Sequence, residues 1–239
     1  MSQTEAQGSA WLVLPTYEEA GNIEQIVRRA LESMPEGSRV LVVDDNSPDG
    51  TGEIAERLAA ELPVEVLHRA GKEGLASAYI AGFRHALERG AGLVLQMDSD
   101  FSHDPADLRR LIEASERADL VLGSRYVAGG GVRDWSLVRQ AISRGGSAYA
   151  RTVLGIEVKD LTGGFKCFQR EVLEAIDLGA ISSQGYAFQV EMTYRALQKG
   201  FRVLEIPIVF RDRQVGQSKM SRAIVLEAAW RVPLLRRRR

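Results

Sequence analysis

The sequence predicts a single α/β domain with a mostly parallel central sheet flanked by helices. In its first half, short apolar runs alternate with segments whose apolar residues recur every three or four positions, the pattern of strands joined by crossover helices. The chain has 239 residues, of which 45% are hydrophobic and 26% are charged. These values are typical of a globular domain that buries a large core, and they exclude disordered and fibrous proteins.

Five strands and four helices are predicted in the first half. Each strand is a short run dominated by Val and Leu that ends at a polar or turn residue. The strands are predicted at 11–14, 40–43, 64–67, 93–97 and 120–122. Pro15 is expected to end the first strand, since it has no N–H for a sheet hydrogen bond. The helices are predicted at 18–33, from about residue 51, at 75–87, and with Pro105 in the first turn of the fourth.

The second half has a less regular pattern and no shift in composition that would separate another domain. Helices are predicted at 137–154, 185–197 and 223–230, a flexible loop at 129–131 and a turn at 163–164. The apolar run 203–210 contains Pro207, which predicts a strand at an edge of the sheet. Residues 1–10 are expected to form a disordered leader.

Charge and cysteine content exclude several classes. The net charge of −1 argues against a general nucleic-acid-binding protein. The last four residues are all arginine, so a basic end follows an acidic body. The single cysteine, Cys167, excludes a disulfide framework and is expected to be a small buried side chain. We find neither the pattern of a signal peptide nor an uncharged apolar run of about 18 residues, so we expect no membrane-spanning helix.

Polar residues follow four of the predicted strands. They are Pro15, Thr16, Tyr17 and Glu19 after the first, Asp44 and Asp45 after the second, Asp98, Ser99 and Asp100 after the fourth, and Gly123, Ser124 and Arg125 after the fifth. Ligands of open α/β sheets bind beyond the carboxyl ends of the strands, so these groups are expected to form one site. Five carboxylates at one edge repel each other unless a cation offsets them. The pattern therefore predicts a divalent metal ion.

Asp98 and Asp100 are the best candidates for metal ligands. Side chains two residues apart in an extended segment point to the same side, where both carboxylates reach one hard cation. The alternative is a solvated acidic loop, in which Asp104 caps the helix that begins near Pro105. His103 is expected to face solvent rather than to bind metal. The sequence contains no P-loop and no dinucleotide-binding glycine motif, which disfavours NTPases and dehydrogenases.

Taken in order, the motifs at these strand ends resemble those of family 2 glycosyltransferases, which have the GT-A fold. The motifs are Val13 to Glu19, Val42 to Thr51, Gly71 to Leu75, Asp98 to Asp100 and Gly123 to Tyr126. Within that family, further motifs resemble those of the polyprenol-phosphate (dolichol-phosphate) mannose synthases. These are Gly130 to Val132, Trp135, Arg139, Ile142 to Gly145, Asp160 to Phe165, Gly185 to Met192, Arg213 and Gly216 to Lys219.

The resemblance implies inverting transfer of mannose from GDP-mannose to a polyprenyl monophosphate, with Mg²⁺ or Mn²⁺ as cofactor. It implies a GT-A domain over 11–221, with a nucleotide-sugar half at 11–125 and an acceptor half at 126–221. The implied donor-binding residues are Pro15, Tyr17, Glu19, Val42, Asp44, Asp45, Lys72, Asp98, Ser99, Asp100, Arg125, Gln189, Glu191, Arg213 and Lys219. Asp98 and Asp100 are the implied metal ligands, and Ser102 occupies the position of a glutamine ligand in some relatives. Asp100, Arg125, Arg213 and Lys219 are the implied catalytic residues.

A lipid acceptor requires contact with a membrane surface. Two segments, 135–154 and 223–235, combine arginines with apolar residues, a composition typical of helices that lie on a membrane surface. The C-terminal helix and basic tail at 222–239 are expected to face a membrane. The alternative is that both helices pack on the core with solvated arginines. The resemblance implies a peripheral enzyme at the cytoplasmic membrane face, held there by an anchoring partner domain or subunit. Two other functions stay open: transfer from another donor such as UDP-glucose, and a non-catalytic sugar-nucleotide-binding module.

Overall fold

The computed structural model describes residues 9–212 and 230–236 of the chain. Its strands are β1 (Ala10–Thr16), β2 (Arg39–Asp44), β3 (Val64–His68), β4 (Leu93–Gln96), β5 (Leu120–Ser124), β6 (Gly131–Val132), β7 (Lys166–Gln169), β8 (Val203–Pro207) and β9 (Val209–Phe210). Its helices are α1 (Ile23–Ser33), α2 (Thr51–Glu61), α3 (Leu75–Glu88), α4 (Asp107–Ala114), α5 (Leu137–Leu154), α6 (Arg170–Ala175) and α7 (Gly185–Gln198). Residues 230–236 are helical.

Seven strands form the central sheet in the order β3-β2-β1-β4-β7-β5-β8. β7 runs antiparallel to its neighbours β4 and β5, and the other neighbouring pairs are parallel. β6 and β9 form a separate two-stranded parallel ribbon. The predicted α/β architecture with a mostly parallel sheet and one domain is confirmed.

The sheet separates two apolar layers. Trp11 and Val13 of β1 pack on the side that carries α3 and α7, while Leu12 and Leu14 pack on the side of α1, α2 and α4. Successive strand residues point to opposite faces, so a sheet covered on both faces needs apolar residues at nearly every position. This explains why the strands are continuous runs of Val and Leu.

Several boundaries differ from the prediction. β1 continues through Pro15, because pairing with β4 stops at Val13 and the proline has only β2 beside it. β1 also begins at Ala10, within the range expected to be a leader. Helix α1 begins at Ile23 rather than residue 18, since Glu18 adopts a left-handed φ of 59° and the chain turns before the helix. Pro105 lies in the turn before α4 rather than in its first turn.

The second half departs further from the prediction. β7 and α6 were not predicted, and the run 203–210 is divided into β8, which is at the sheet edge as expected, and β9. β6 occupies part of the segment expected to be a flexible loop. Helix α5 has the predicted bounds. Most of the helix predicted at 223–230 lies outside the described residues. Within the part of the chain that the structure describes, no helix is long and apolar enough to cross a bilayer.

Candidate functional site

A cavity of about 560 Å³ opens at the carboxyl edge of the parallel strands. The turns after β1, β2, β4 and β5 form part of its wall, and α7 closes one side. It is lined by most of the predicted site residues: Pro15, Tyr17, Glu19, Asp45, Lys72, Asp98, Ser99, Asp100, Ser102, Arg125 and Gln189. The topology therefore brings together side chains that are up to 174 positions apart in the sequence.

One end of the cavity combines an aromatic ring with a carboxylate. The Nζ atom of Lys72 lies 3.8 Å from the centroid of the Tyr17 ring. Asp45 accepts a hydrogen bond from Arg69, which also donates to Glu73 at 2.7 Å. Burial raises the pKa of Asp45, and the charge of Arg69 opposes that effect without cancelling it. This end offers a surface for stacking and an acceptor for N–H or O–H groups.

Asp44 is buried beneath the cavity and does not line it. Its carboxylate accepts hydrogen bonds from Thr16 Oγ1 at 3.1 Å, Ser47 Oγ at 2.6 Å and Ser47 N at 3.1 Å. These bonds hold the turn after β2 against the end of β1. Of the two adjacent aspartates, the structure thus places Asp45 in the cavity and Asp44 in the turn that supports it.

Two more predicted residues are not brought to the cavity. Val42 is fully buried in the apolar layer beneath α1 and α2, because alternation along β2 points its side chain there. Glu191 is fully buried on α7, where it forms an ion pair with Arg195 at 2.7 Å and accepts a hydrogen bond from Ser183 N at 3.3 Å. Arg213 and Lys219 lie outside the described residues.

The loop after β4 presents the acidic pair to the cavity. Asp98 Oδ1 accepts a hydrogen bond from the Tyr79 hydroxyl at 3.0 Å, and Asp100 Oδ1 accepts one from Ser102 N at 3.0 Å. Ser99 Oγ donates to Pro15 O at 3.0 Å, which fastens the loop to the end of β1. Burial raises the pKa of Tyr79 well above its ordinary value, and the neighbouring Asp98 adds to that, so the phenol stays a donor at neutral pH.

The surroundings of this pair fit a hard cation. Ser102 Oγ is buried and has no hydrogen-bond partner among the described residues, and it follows Asp100 closely in the loop. Gly164 has no side chain, and this leaves space beside Asp98. A Cβ atom at Gly164 would occupy that space, 3.6 and 3.7 Å from the two Asp98 carboxylate oxygens. In residues 9–212 and 230–236, no three His, Cys, Asp or Glu side chains are grouped to hold a metal by themselves. A cation here would therefore need further oxygen ligands, which a bound diphosphate can supply.

A fixed positive charge lies on another wall of the cavity. The guanidinium of Arg125 donates to buried Asp160 through Nε at 2.7 Å and Nη2 at 2.6 Å, and also to Thr162 Oγ1 at 2.9 Å. Burial lowers the pKa of Arg125, but the charge and hydrogen bonds of Asp160 outweigh burial and raise it above the ordinary value. Arg125 is therefore always charged and held in one orientation.

The cavity includes residues to which no site role was assigned from the sequence. Arg139 of α5 pairs with Asp212 at 2.8 Å and lies 4.1 Å from the centroid of the Trp135 ring. His103, expected to face solvent, is buried against Phe165 and Phe210. Burial lowers the pKa of His103 to about 4, so its ring is neutral at pH 7. Arg139 and Trp135 belong to the family motifs, so the sequence did point to them. Nothing in the polar run around His103 indicates that its side chain is buried.

Comparison with known proteins agrees with this fold. Residues 11–177 match the family model described as Glycosyl transferase family 2. An undecaprenyl-phosphate mannosyltransferase of Micrococcus luteus is 51% identical over 217 residues, which cover 90% of this chain and 89% of the relative. A polyprenol monophosphomannose synthase of Mycolicibacterium smegmatis is 46% identical over 224 residues, which cover 92% and 84%.

The solved structures that resemble this chain share its fold at lower identity. Glucosyl-3-phosphoglycerate synthase from Mycobacterium tuberculosis, in complex with Mn²⁺, UDP-glucose and phosphoglyceric acid, superimposes with a TM-score of 0.70 at 18% identity, covering 95% of this chain and 81% of that one. The same enzyme with Mg²⁺ and UDP has a TM-score of 0.70 at 19% identity, covering 95% and 80%.

Proposed function

Since this chain belongs to glycosyl transferase family 2 and has the GT-A fold, we propose that it transfers mannose from GDP-mannose to a polyprenyl monophosphate. The products would be β-linked polyprenyl phosphomannose and GDP. One observation carries the proposal: a single cavity holds the acidic pair Asp98 and Asp100 together with the fixed cations Arg125 and Arg139. Two curated relatives at 51% and 46% identity, named for transfer of mannose to such lipids, support it.

The donor would bind with its nucleoside toward Tyr17 and Asp45 and its diphosphate at the acidic loop. Asp98, Asp100 and Ser102 would hold Mg²⁺ or Mn²⁺ there. When bound, such an ion neutralises the negative charge that builds on a leaving diphosphate. The carboxylate of Asp45 is an acceptor for the N–H groups of guanine, and Arg69 keeps that carboxylate in place.

The acceptor phosphate would bind near Arg125 and Arg139. A phosphate monoester has a second pKa of about 6, so it is already a dianion at pH 7 and needs no general base. This agrees with the neutral, buried state of His103. Asp160 and Asp212 hold the two guanidinium groups, which would orient the phosphate for attack on the anomeric carbon from the side opposite the leaving group. Attack from that side inverts the anomeric centre, which gives the β product.

Helix α5 provides a surface that fits a membrane. Leu137 is 82% exposed and Val138 is 68% exposed, and Ile142 on the same helix is exposed as well. The helix contains arginines and no acidic residue, a composition that favours an anionic lipid surface. Arg139 extends from α5 into the cavity, so a lipid at this surface would have its phosphate at the site. We propose that the enzyme is peripheral to the cytoplasmic membrane face and that an anchoring domain or subunit assists it.

A second donor is the main alternative, because Asp98 and Asp100 would hold the diphosphate, which mannose and glucose donors share. The structural neighbour with bound UDP-glucose is the observation that favours it. The experiment that separates the two incubates the protein with a polyprenyl phosphate, Mg²⁺ or Mn²⁺, and either labelled GDP-mannose or labelled UDP-glucose. We expect label in the lipid only from GDP-mannose. Label only from UDP-glucose would refute the mannose assignment, and none from either would favour a non-catalytic binding module.

A further inference from the structure

β7 carries a lysine that the proposed reaction does not use. Lys166 is fully buried, and its Nζ donates to Gln189 O at 2.7 Å and to Thr193 Oγ1 at 3.0 Å. It forms no ion pair with any residue that the structure describes. Burial lowers its pKa to about 7, and the charge of Asp160 opposes this only in part. A methionine of similar length would fill the same space without the cost of burying an amine.

The two acceptors of Lys166 lie on one turn of α7. In a helix, the carbonyl of Gln189 already accepts the backbone N–H four residues later, and here the Thr193 hydroxyl donates to it as well at 3.2 Å. The hydrogen bond from Lys166 is therefore not needed to satisfy the helix. It ties this turn of α7 to β7, an interior strand of the sheet, and fixes the backbone position of Gln189.

The side chain of Gln189 lies near Asp98 of the acidic pair. A Cβ atom built on Gly164 would be 3.5 Å from Gln189 Nε2 and 3.6 Å from an Asp98 carboxylate oxygen, so both groups border the same small space. Gln189 Oε1 is buried and has no hydrogen-bond partner among the described residues. The amide thus borders the cavity through Nε2, a donor, and its carbonyl oxygen has no partner in the described part of the chain, so it is suited to a ligand hydroxyl, which can accept as well as donate a hydrogen bond.

The topology places Gln189 toward one end of the donor. Asp45, at the nucleoside end, follows β2, which lies on one side of β4, whereas β7 and Gly164 lie on the other side. The amide of Gln189 is thus on the side of the acidic loop away from the nucleoside. A donor sugar that follows its diphosphate away from the nucleoside would have its hydroxyls on this side.

We propose that Lys166 is a positioning residue for sugar transfer, which holds α7 so that the Gln189 amide forms a hydrogen bond with a hydroxyl of the donor sugar. The role rests on the proposed function, since it assumes a donor with its sugar at this end. It predicts that loss of Lys166 and loss of Gln189 impair the same step. It also predicts that binding of the nucleotide alone is unaffected.

The test compares Lys166→Met, Gln189→Ala and the double variant, using labelled GDP-mannose and a polyprenyl phosphate. We expect each single variant to lower kcat by about 10-fold, and the double variant to be no slower than the slower single one, because the two residues act as a unit. The dissociation constant for GDP with Mg²⁺, measured by calorimetry, should change less than about 2-fold. The melting temperature of Lys166→Met should not fall, because a buried amine is removed.

Cys167→Ala is the matched control. It changes the next residue of β7, which points to the opposite face of the sheet, and it should leave transfer within about 2-fold of the wild type. If Lys166→Met does not fold, Thr193→Val removes one of the two acceptors, and we expect a several-fold lower kcat with unchanged GDP binding.

Unchanged kcat in a folded Lys166→Met protein, or in Thr193→Val when that variant is used, would overturn the role of Lys166. Losses that add up in the double variant would overturn it as well. Failure of the wild-type protein to transfer mannose would instead overturn the proposed function.

Discussion

Replacing Asp160 with Asn should destabilise the protein strongly, because it leaves the buried guanidinium of Arg125 without a counter-charge. Asp160 accepts bonds from Arg125 N at 2.9 Å, Nε at 2.7 Å and Nη2 at 2.6 Å, and both side chains are buried. Removing one partner of a buried ion pair costs about 3–5 kcal/mol. For a domain of this size, that lowers the melting temperature by roughly 6–20 °C. The assay is thermal unfolding followed by circular dichroism.

The chain contains a matched control for this experiment. Asp119 accepts hydrogen bonds from the same three donor atoms of an arginine, Arg202 N at 2.7 Å, Nε at 3.2 Å and Nη2 at 2.7 Å. The Arg202 side chain, however, is 65% exposed. Asp119→Asn should therefore barely change the melting temperature, since solvent compensates for the lost charge. Equal shifts in the two variants, or a shift of less than about 2 °C for Asp160→Asn, would refute the view that burial makes the Arg125 pair indispensable.

Three further predictions concern the acidic pair, Lys166 and α5. Asp100→Asn keeps an oxygen that accepts the hydrogen bond from Ser102 N, but it should lower the rate of mannose transfer by about 100-fold or more. Loss of a residue that only supports a metal ligand already costs about 10- to 100-fold in metal affinity or activity. An active variant with normal metal dependence would contradict the metal assignment. The pKa of Lys166 is about 7 in the fold against 10.5 as the ordinary value. The unfolded state therefore holds more protons above pH 7, and the stability of the wild type relative to Lys166→Met should rise by up to about 1.4 kcal/mol per pH unit between pH 7 and 10 in urea titrations. A flat difference would contradict this. Replacing Leu137 and Val138 with Ser should reduce flotation of the protein with anionic liposomes. Removal of Arg236 to Arg239 tests the C-terminal tail in the same assay. Unchanged flotation of a variant would show that the altered segment does not bind the membrane.

Much of the fold could be predicted from sequence because the parallel strands are buried on both faces. Such strands need continuous apolar runs, so β2, β4 and β5 are visible as Val and Leu clusters. β7 is the exception. It has four residues, begins with Lys166 and ends with Gln169, so it is no continuous apolar run, although it lies inside the sheet between β4 and β5. The sequence around Lys166 does not indicate that its amine donates to a helix, because the acceptor Gln189 O is 23 residues later in the chain.

Site residues could be predicted where their position at the end of a strand determines that they line the cavity. Asp45, Asp98, Asp100 and Arg125 follow strands whose carboxyl ends meet at one edge, so their convergence follows from topology. Side-chain direction was not predictable in the same way. Val42 and Asp44 stand in the same motif as Asp45, but the strand's alternation and the hydrogen bonds of the turn point them away from the cavity. His103 is buried by contacts with Phe165 and Phe210, which are distant in sequence.

The central proposal is tested most directly by the chemical identity of the lipid product. The wild-type protein is incubated with unlabelled GDP-mannose, a polyprenyl phosphate and Mg²⁺ or Mn²⁺, and the extracted lipid is examined by mass spectrometry and by NMR of the anomeric proton. We expect a lipid phosphate that has gained one hexose, identified as mannose in β linkage, and no such product when the cation is chelated. A lipid without added hexose, or an α-linked product, would contradict it.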